Sequence, residues 1–359
     1  MEKKNQEFAM LDLLQQAAFR VENGVITHVN TAASPYWLRP GQPIDSMLSQ
    51  SAEDYAAFSD GCLYLPLTIG GISHRSTVIK VDTADVFILE HQQDPAQFQA
   101  MALAAAELRI PLSGVMAGAD KILAMVDDTT TSKTQETLAQ MNRRLMQMHR
   151  IVSNMSDVSG FAKESQNQSE LLEIRSLLEE ILSKSAHALS LAGITLSYQL
   201  PTQPICTLAN SQQLERAVYN LISNAAKYSP ANGTIQVDVS CRGNRLAICV
   251  SDQGCGIQDR TDVFTRYLRQ PTLEDSRNGI GLGMVLVRSA AIAHGGTVLI
   301  HQPGGGGTRV TMTLAIRTPH TPQVRSTRMR IDYAGEYDHC LLELSDVLPP
   351  ELYAPEVFS

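Results

Sequence analysis

The sequence predicts an α+β protein that is built from several domains. A chain of 359 residues with 43% hydrophobic residues is long enough for two or three domains with their own cores. The hydrophobic pattern changes along the chain from short strand-like runs, to helical repeats, to strands and helices separated by glycine-rich turns. We therefore expect four segments, which are residues 1–95, 96–165, 170–318 and 319–359.

The first segment contains strand-like runs that are separated by turns. Two runs flank Asn23-Gly24, a dipeptide typical of tight β-hairpins. After a short helical stretch, three more runs follow, LYLPLTI, STVIKV and DVFILEH. This order of two strands, short helices and three strands resembles a PAS-type α/β sensory domain. The resemblance rests on the order of elements and not on a residue motif.

Residues 96–165 carry the periodicity of two packed helices. Apolar residues recur at spacings of three and four on both sides of a polar turn, DDTTTSK. These residues are Leu108, Leu112, Val115, Ala119, Ile122 and Met125, then Leu138, Met141, Leu145, Met148, Val152, Met155, Val158 and Phe161. Two helices cannot bury such stripes alone, so we expect a homodimer in which two helical hairpins form a four-helix bundle.

A third helix is predicted to begin near Ser211 and to end before Pro230. Its apolar residues form one stripe, and Asn220, Asn224 and Lys227 project from the opposite face. Two carboxamides and an ammonium in this arrangement suit Mg²⁺ and phosphate groups. For this segment alone, a solvated polar face is the alternative interpretation.

Three glycine-rich pieces follow this helix. Asp252 ends a predicted strand and precedes Gly254 and Gly256, so its carboxylate can accept a hydrogen bond from an exocyclic amine such as that of adenine. The pieces GIGLGM and GGGGT begin a predicted helix and a predicted strand, and the first would offer backbone N–H groups to phosphate. Each piece alone is typical of an ordinary turn. Their order within residues 220–308 predicts a pocket for a magnesium-bound nucleotide.

These pieces resemble the conserved boxes of the ATP-binding domain of sensor histidine kinases, within the superfamily that includes gyrase. NLISNAAKYSP corresponds to the N box, DQGCGI to the G1 box, VFTRYLR to the F box, GIGLGM to the G2 box and GGGGT to the last glycine-rich box. The resemblance implies an α/β sandwich of the histidine kinase/gyrase type, with ATP and Mg²⁺ as its cofactors.

The resemblance also implies roles for individual residues. It implies that Asn224 binds Mg²⁺ and that Asn220, beside it, acts in catalysis together with Glu107. The residues that it places around the nucleotide are Asn224, Lys227, Tyr228, Asp252, Gly254, Gly256, Gly279, Gly281, Gly283 and Thr308.

The chain departs from this family at the phosphoacceptor. The family motif His-Glu-Leu-Arg-Thr-Pro-Leu corresponds here to Ala-Glu-Leu-Arg-Ile-Pro-Leu, with Ala106 at the acceptor position and Ile110 in place of Thr or Asn. Alanine carries no nucleophile, so phosphoryl transfer to this position is impossible. Elsewhere, His149 and His91 are weaker candidates for an acceptor.

Composition restricts the setting in which the protein acts. A net charge of −8 without a basic stripe argues against nucleic acid as the main partner. No apolar run approaches the ~20 residues that a membrane-spanning helix needs. We therefore expect a cytoplasmic protein without a membrane span. Residues 319–359 are interpreted as a polar linker and a tail that docks on the protein or on a partner.

Three functions fit these patterns. The first is a sensor histidine kinase homologue that binds Mg-ATP in two-component signalling and has its acceptor elsewhere. The second is a pseudokinase that uses ATP as a conformational ligand and regulates a response regulator or a partner kinase. The third, a related ATPase or serine kinase, ranks last because the hairpin and the remnant ELRIPL are present. Ala106 and Ile110 favour the second function, whereas the intact nucleotide boxes favour the first.

Overall fold

The computed structural model of the chain describes residues 11–81, 83–90, 95–123, 132–160, 169–256, 282–317 and 337–354. The strands of these residues form one ten-stranded sheet and one two-stranded sheet. Among the described residues, none of the helices has the length and apolar character needed to cross a membrane.

The N-terminal unit is an antiparallel sheet with short helices. Its elements are β1 (Ala18–Glu22), β2 (Val25–Val29), α1 (Asp45–Leu48), α2 (Ala52–Ala56), β3 (Cys62–Ile69), β4 (Ile72–Val81) and β5 (Ala84–Leu89). The strand order is β2-β1-β5-β4-β3. Asn23 and Gly24, in the turn between β1 and β2, have φ angles of 50° and 75°, which Asn-Gly adopts at low cost. The order of elements agrees with the sequence expectation, and the PAS-like assignment stays a prediction.

Two helices of 29 residues each, α3 (Pro95–Leu123) and α4 (Ser132–Gly160), pack against each other. Part of the predicted apolar seam is buried, namely Leu112, Ala119, Leu138, Leu145 and Val152. Another part is exposed, namely Leu108, Val115, Ile122 and Met148. Met125 and Phe161 lie outside the described residues. The seam is therefore divided between a face that is covered within this chain and a second apolar face that is open.

The next unit is a two-layer α/β arrangement. Its elements are β6 (Glu170–Glu173), α5 (Ile174–Leu191), β7 (Thr195–Gln199), β8 (Cys206–Ala209), α6 (Ser211–Tyr228), β9 (Thr234–Arg242), β10 (Arg245–Ser251), α7 (Leu282–Ala293), β11 (Val298–His301) and β12 (Arg309–Ala315). The sheet order is β11-β12-β10-β9-β7, and only β7 and β9 pair in parallel among these strands. Buried residues of α5, α6 and α7 share one hydrophobic core with Ile235, Val237 and Ile248 of the sheet.

The strands of the N-terminal unit and those of the α/β unit meet edge to edge within the ten-stranded sheet. Strand β3 pairs antiparallel with β11, so that Tyr64 lies opposite Val298. On α7, Arg288 places its guanidinium 3.3 Å from the centroid of the Tyr64 ring. Asp54 of α2 accepts hydrogen bonds from the hydroxyls of Thr297 and Thr313, at 2.9 Å and 3.0 Å. The N-terminal unit is thus attached to the α/β unit by backbone pairing and by polar contacts.

Residues 337–354, called the tail below, dock between α4, α5 and α6. They contain α8 (His339–Glu343) and a final 3-10 turn (Pro350–Tyr353). The side chains of Leu342, Leu344, Leu348 and Tyr353 are fully buried. The tail therefore lies on the body of the protein, which is one of the two positions expected from the sequence.

Candidate functional site

The helix α6 positions four of the predicted site residues. Its N-cap is Asn210, whose side chain accepts a hydrogen bond of 3.0 Å from the backbone N–H of Gln213. The predicted apolar stripe of α6 is buried against the sheet; it consists of Leu214, Val218, Leu221, Ile222 and Ala225. Packing of this stripe fixes the rotation of the helix, and hence the direction in which its polar face points.

Asn220 is buried on this polar face, with 1% of its surface exposed. Its Nδ2 donates to the carbonyl oxygen of Arg216 at 2.8 Å, and its Oδ1 accepts a hydrogen bond of 3.3 Å from Arg150 Nη2. A Cβ at position 283 would collide with Asn220 Oδ1, so Gly283 allows the start of α7 to lie directly against α6. The sequence did not predict that α4 and α7 would cover Asn220.

The other predicted site residues of α6 are more accessible. Asn224 is half-buried, and the ring of Tyr228 is 43% exposed. Lys227 extends towards the tail, where its Nζ lies 2.6 Å from Asp346 Oδ2. Of these residues, Asn224 carries the amide oxygen, a group that suits a divalent cation.

Asp252 joins the turn after β10 to the turn before β12. Its Oδ1 accepts hydrogen bonds from the backbone N–H groups of Gly254 and Thr308, at 2.8 Å and 3.1 Å. Its own backbone N–H donates to the carbonyl oxygen of Thr308 at 2.9 Å. Within the described residues, Oδ2 accepts no hydrogen bond. Burial raises the pKa of Asp252 above its ordinary value, although both backbone hydrogen bonds act in the opposite direction.

Glycines allow these turns to pack closely. A Cβ at Gly254 would collide with the carbonyl oxygen of Tyr228, at the end of α6. Gly307, with a φ of 77°, lies against the backbone of Asp252. Gly256 also has a positive φ, 68°, and lies beside Gly307. The N box, the G1 box and the last glycine-rich box therefore meet at one place, and their role in nucleotide binding stays a prediction.

Other predicted residues lie apart from this cluster or outside the described residues. Gly279, Gly281 and the F box at 263–269 lie outside the described residues. Glu107 is exposed on α3, and within the described part of the chain no hydrogen bond or ion pair joins it to the site. Ala106 lies one residue earlier on the same helix.

The two alternative acceptor histidines differ in what the structure describes. His149 is half-buried on α4, and its ring meets that of Tyr337 edge-on, with the centroids 6.4 Å apart. His91 lies outside the described residues.

Sequence reasoning missed a network of charged residues at the border of the site. Glu343 of the tail, fully buried, accepts from Arg150 Nε at 3.1 Å and from Arg216 Nε at 3.2 Å. Asp346, three residues later, accepts from Arg150 Nη1 at 2.8 Å and pairs with Lys227. Arg216 also contacts Asp157 of α4. Burial alone would raise the pKa of Asp346, but Arg150 and Lys227 outweigh burial and lower it.

Comparison with known proteins identifies the α/β unit. Residues 209–318 match the family model described as histidine kinase-, DNA gyrase B-, and HSP90-like ATPase. The sensor-like histidine kinase SenX3 of Mycolicibacterium smegmatis is 28% identical over 270 residues, which are 71% of this chain and 69% of that protein. Hybrid signal transduction histidine kinase D of Dictyostelium discoideum is 30% identical over 242 residues, 64% of this chain and 15% of that protein.

Solved structures are also among the matches. Full-length ShkA in complex with AMPPNP is 21% identical, with a TM-score of 0.48, over 62% of this chain and 46% of that chain. The chain thus spans much less than the full length of several of the relatives that it matches.

Proposed function

We propose that this chain, a member of the sensor histidine kinase family, binds Mg-ATP and acts in two-component signal transduction. The observation that carries the proposal is the geometry of Asp252. Because the N–H groups of Gly254 and Thr308 hold Oδ1, the carboxylate is fixed in one orientation, with Oδ2 available to accept from an adenine amine. The nucleotide is bound between α6 and the two turns that meet where β10 ends and β12 begins.

The residues present fit this ligand. Gly254 brings the turn after Asp252 against the backbone of Tyr228, whose side chain is 43% exposed, so a base held by Asp252 would lie near that residue. The amide oxygen of Asn224 suits Mg²⁺, which prefers oxygen ligands and would neutralise part of the phosphate charge when bound. Lys227 supplies a positive charge for the phosphates.

Phosphoryl transfer to the usual position of the hairpin is not part of this proposal. Ala106 has no nucleophile, and within the described residues no hydrogen bond or ion pair joins the neighbouring Glu107 to the site. We therefore favour a pseudokinase, in which ATP is a conformational ligand and the output reaches a response regulator or a partner kinase. The N-terminal unit is proposed to be a PAS-like sensory domain. The open apolar face of α3 and α4 is proposed to form a homodimer.

Titration calorimetry of the full chain with Mg²⁺ and a non-hydrolysable ATP analogue tests the binding proposal. Asp252→Ala and Asn224→Ala should weaken binding more than about tenfold, since a hydrogen bond to a charged group contributes about 1.5–3 kcal/mol. Asp238→Asn, on β9 away from the site, is the matched control and should bind as the wild type does. Unchanged affinity in both site variants would show that the site is assigned wrongly.

A further inference from the structure

The tail binds the same polar face of α6 that the proposed nucleotide site uses. Asp346 Oδ2 lies 2.6 Å from Lys227 Nζ and 2.8 Å from Arg150 Nη1. Through its other terminal nitrogen, Arg150 donates to Asn220 Oδ1 at 3.3 Å. Asp346 therefore contacts Lys227, a residue predicted to bind phosphate, directly. It is linked to the buried Asn220 through Arg150.

The docking of the tail is specified by polar contacts as well as by burial. Arg143 on α4 donates to the carbonyl oxygens of Ser345 and Asp346, at 2.9 Å and 3.0 Å. Gln147 donates to the same Ser345 oxygen at 3.0 Å, and Asn142 donates to the Tyr353 carbonyl at 3.3 Å. These donors on α4 match backbone acceptors of the tail between Ser345 and Tyr353, so one register is selected.

Glu343 adds a buried charge to this contact. Its two carboxylate oxygens bind Arg150 of α4 and Arg216 of α6, and its side chain has no exposed surface. A buried carboxylate is tolerated only when it is paired in this way. Because the two arginines belong to different units, the docked tail also holds α4 against the α/β unit.

We infer that the tail competes with the nucleotide: the Asp346 carboxylate occupies the Lys227 ammonium that a phosphate of ATP would pair with. The inference rests on the proposed function, since it concerns regulation of the same site. Even if Lys227 could reach both groups, a carboxylate beside it repels the like charge of the phosphates. Binding of ATP and docking of the tail therefore oppose each other, and each weakens the other by the same factor. Displacement of the tail also removes Glu343 from between Arg150 and Arg216, so this link between α4 and the α/β unit is lost.

Calorimetry of full-length variants tests this competition. Asp346→Asn keeps the size of the side chain but removes its charge, and it should bind Mg²⁺ and the ATP analogue about 5- to 100-fold more tightly than the wild type. Glu351→Gln, an exposed carboxylate of the same tail, is the matched control and should leave the affinity unchanged. Equal or weaker binding by Asp346→Asn would overturn the competition.

Hydrogen exchange of the wild type gives a second test that needs no variant. Saturating ATP analogue should accelerate exchange of the amides in residues 337–354, while the same analogue with Asp252→Ala should not. Unchanged exchange in the nucleotide-bound wild type would contradict the inference. The two proposals fail separately. Suppose that the wild type binds the ATP analogue, that Asp252→Ala does not, and that Asp346→Asn binds with the affinity of the wild type. The nucleotide site is then assigned correctly and the competition is wrong. If no variant binds nucleotide, both are wrong.

Discussion

Arg288 Nη1 on α7 forms an ion pair of 2.8 Å with Glu90 Oε1, at the point where the N-terminal unit leads into α3. Helix α7 begins within GIGLGM, the piece that is predicted to offer N–H groups to phosphate. The ion pair therefore connects the N-terminal unit with a helix of the proposed nucleotide site. The guanidinium also covers the ring of Tyr64 on β3. The N-terminal unit thus contacts the helix that borders the proposed ATP site.

Loss of the Arg288 contacts should loosen the junction between β3 and β11, where the N-terminal unit meets the α/β unit. Arg288→Ala removes a partly exposed ion pair and a cation–π contact, each of which contributes about 0.5–1 kcal/mol. Amides of β3 and β11 should therefore exchange hydrogen faster. Arg242→Ala, at the exposed end of β9, is the control. Unchanged exchange at β3 in Arg288→Ala would show that Arg288 does not help to hold the junction.

Gly283→Ala should disrupt the contact between α6 and α7. The added Cβ would collide with Asn220 Oδ1, so either α7 or the Asn220 side chain must move. We expect a lower unfolding midpoint and weaker binding of the ATP analogue. Gly118→Ala on α3 is the control, because the added Cβ would meet open space. It should stabilise α3 by about 1 kcal/mol and leave the affinity for the ATP analogue unchanged. Wild-type affinity in Gly283→Ala would argue against close packing at this point.

Acid should weaken the ion pairs of Asp346. Its pKa is lowered in the folded protein by Arg150 and Lys227, with a further contribution from Arg143. A lowered pKa stabilises the fold above the unfolded value of about 4, and this stabilisation is lost as the pH falls through the folded value. The difference in denaturant midpoint between wild type and Asp346→Asn should therefore be constant near neutrality and shrink below about pH 4. If the difference in denaturant midpoint stays the same down to about pH 2, the ion pairs of Asp346 do not stabilise the fold as stated here.

The open apolar face of the hairpin should form a dimer. Leu108, Val115 and Ile122 are spaced seven residues apart on α3, so they lie along one line, and each is at least half exposed. Val115→Asp places a charge in this line and should convert a dimer to a monomer in sedimentation experiments. Ile72→Asp, at an exposed position on β4, should leave the dimer intact. A monomeric wild type would disprove the dimer.

The nucleotide boxes could be predicted because their signals are local. Glycines, an N-cap and a helical polar face each show in a few consecutive residues, and the structure brings the described boxes together around Asp252. The tail network could not be predicted, since Glu343 and Arg150 are far apart in sequence and an acidic residue gives no indication of its partner. The pairing of β3 with β11 uses backbone groups, which leave no residue pattern. Periodicity identified the apolar residues of the hairpin but not which of them α4 would cover.

Incubation with γ-labelled ATP tests the central claim most directly, using the wild type and Ala106→His side by side. The account predicts no acid-labile label on the wild type, because position 106 lacks a nucleophile. Label on Ala106→His would show that the nucleotide site retains the ability to transfer phosphate when an acceptor is supplied. Acid-labile label on the wild type would contradict the account and would direct the search for an acceptor to His149 and His91.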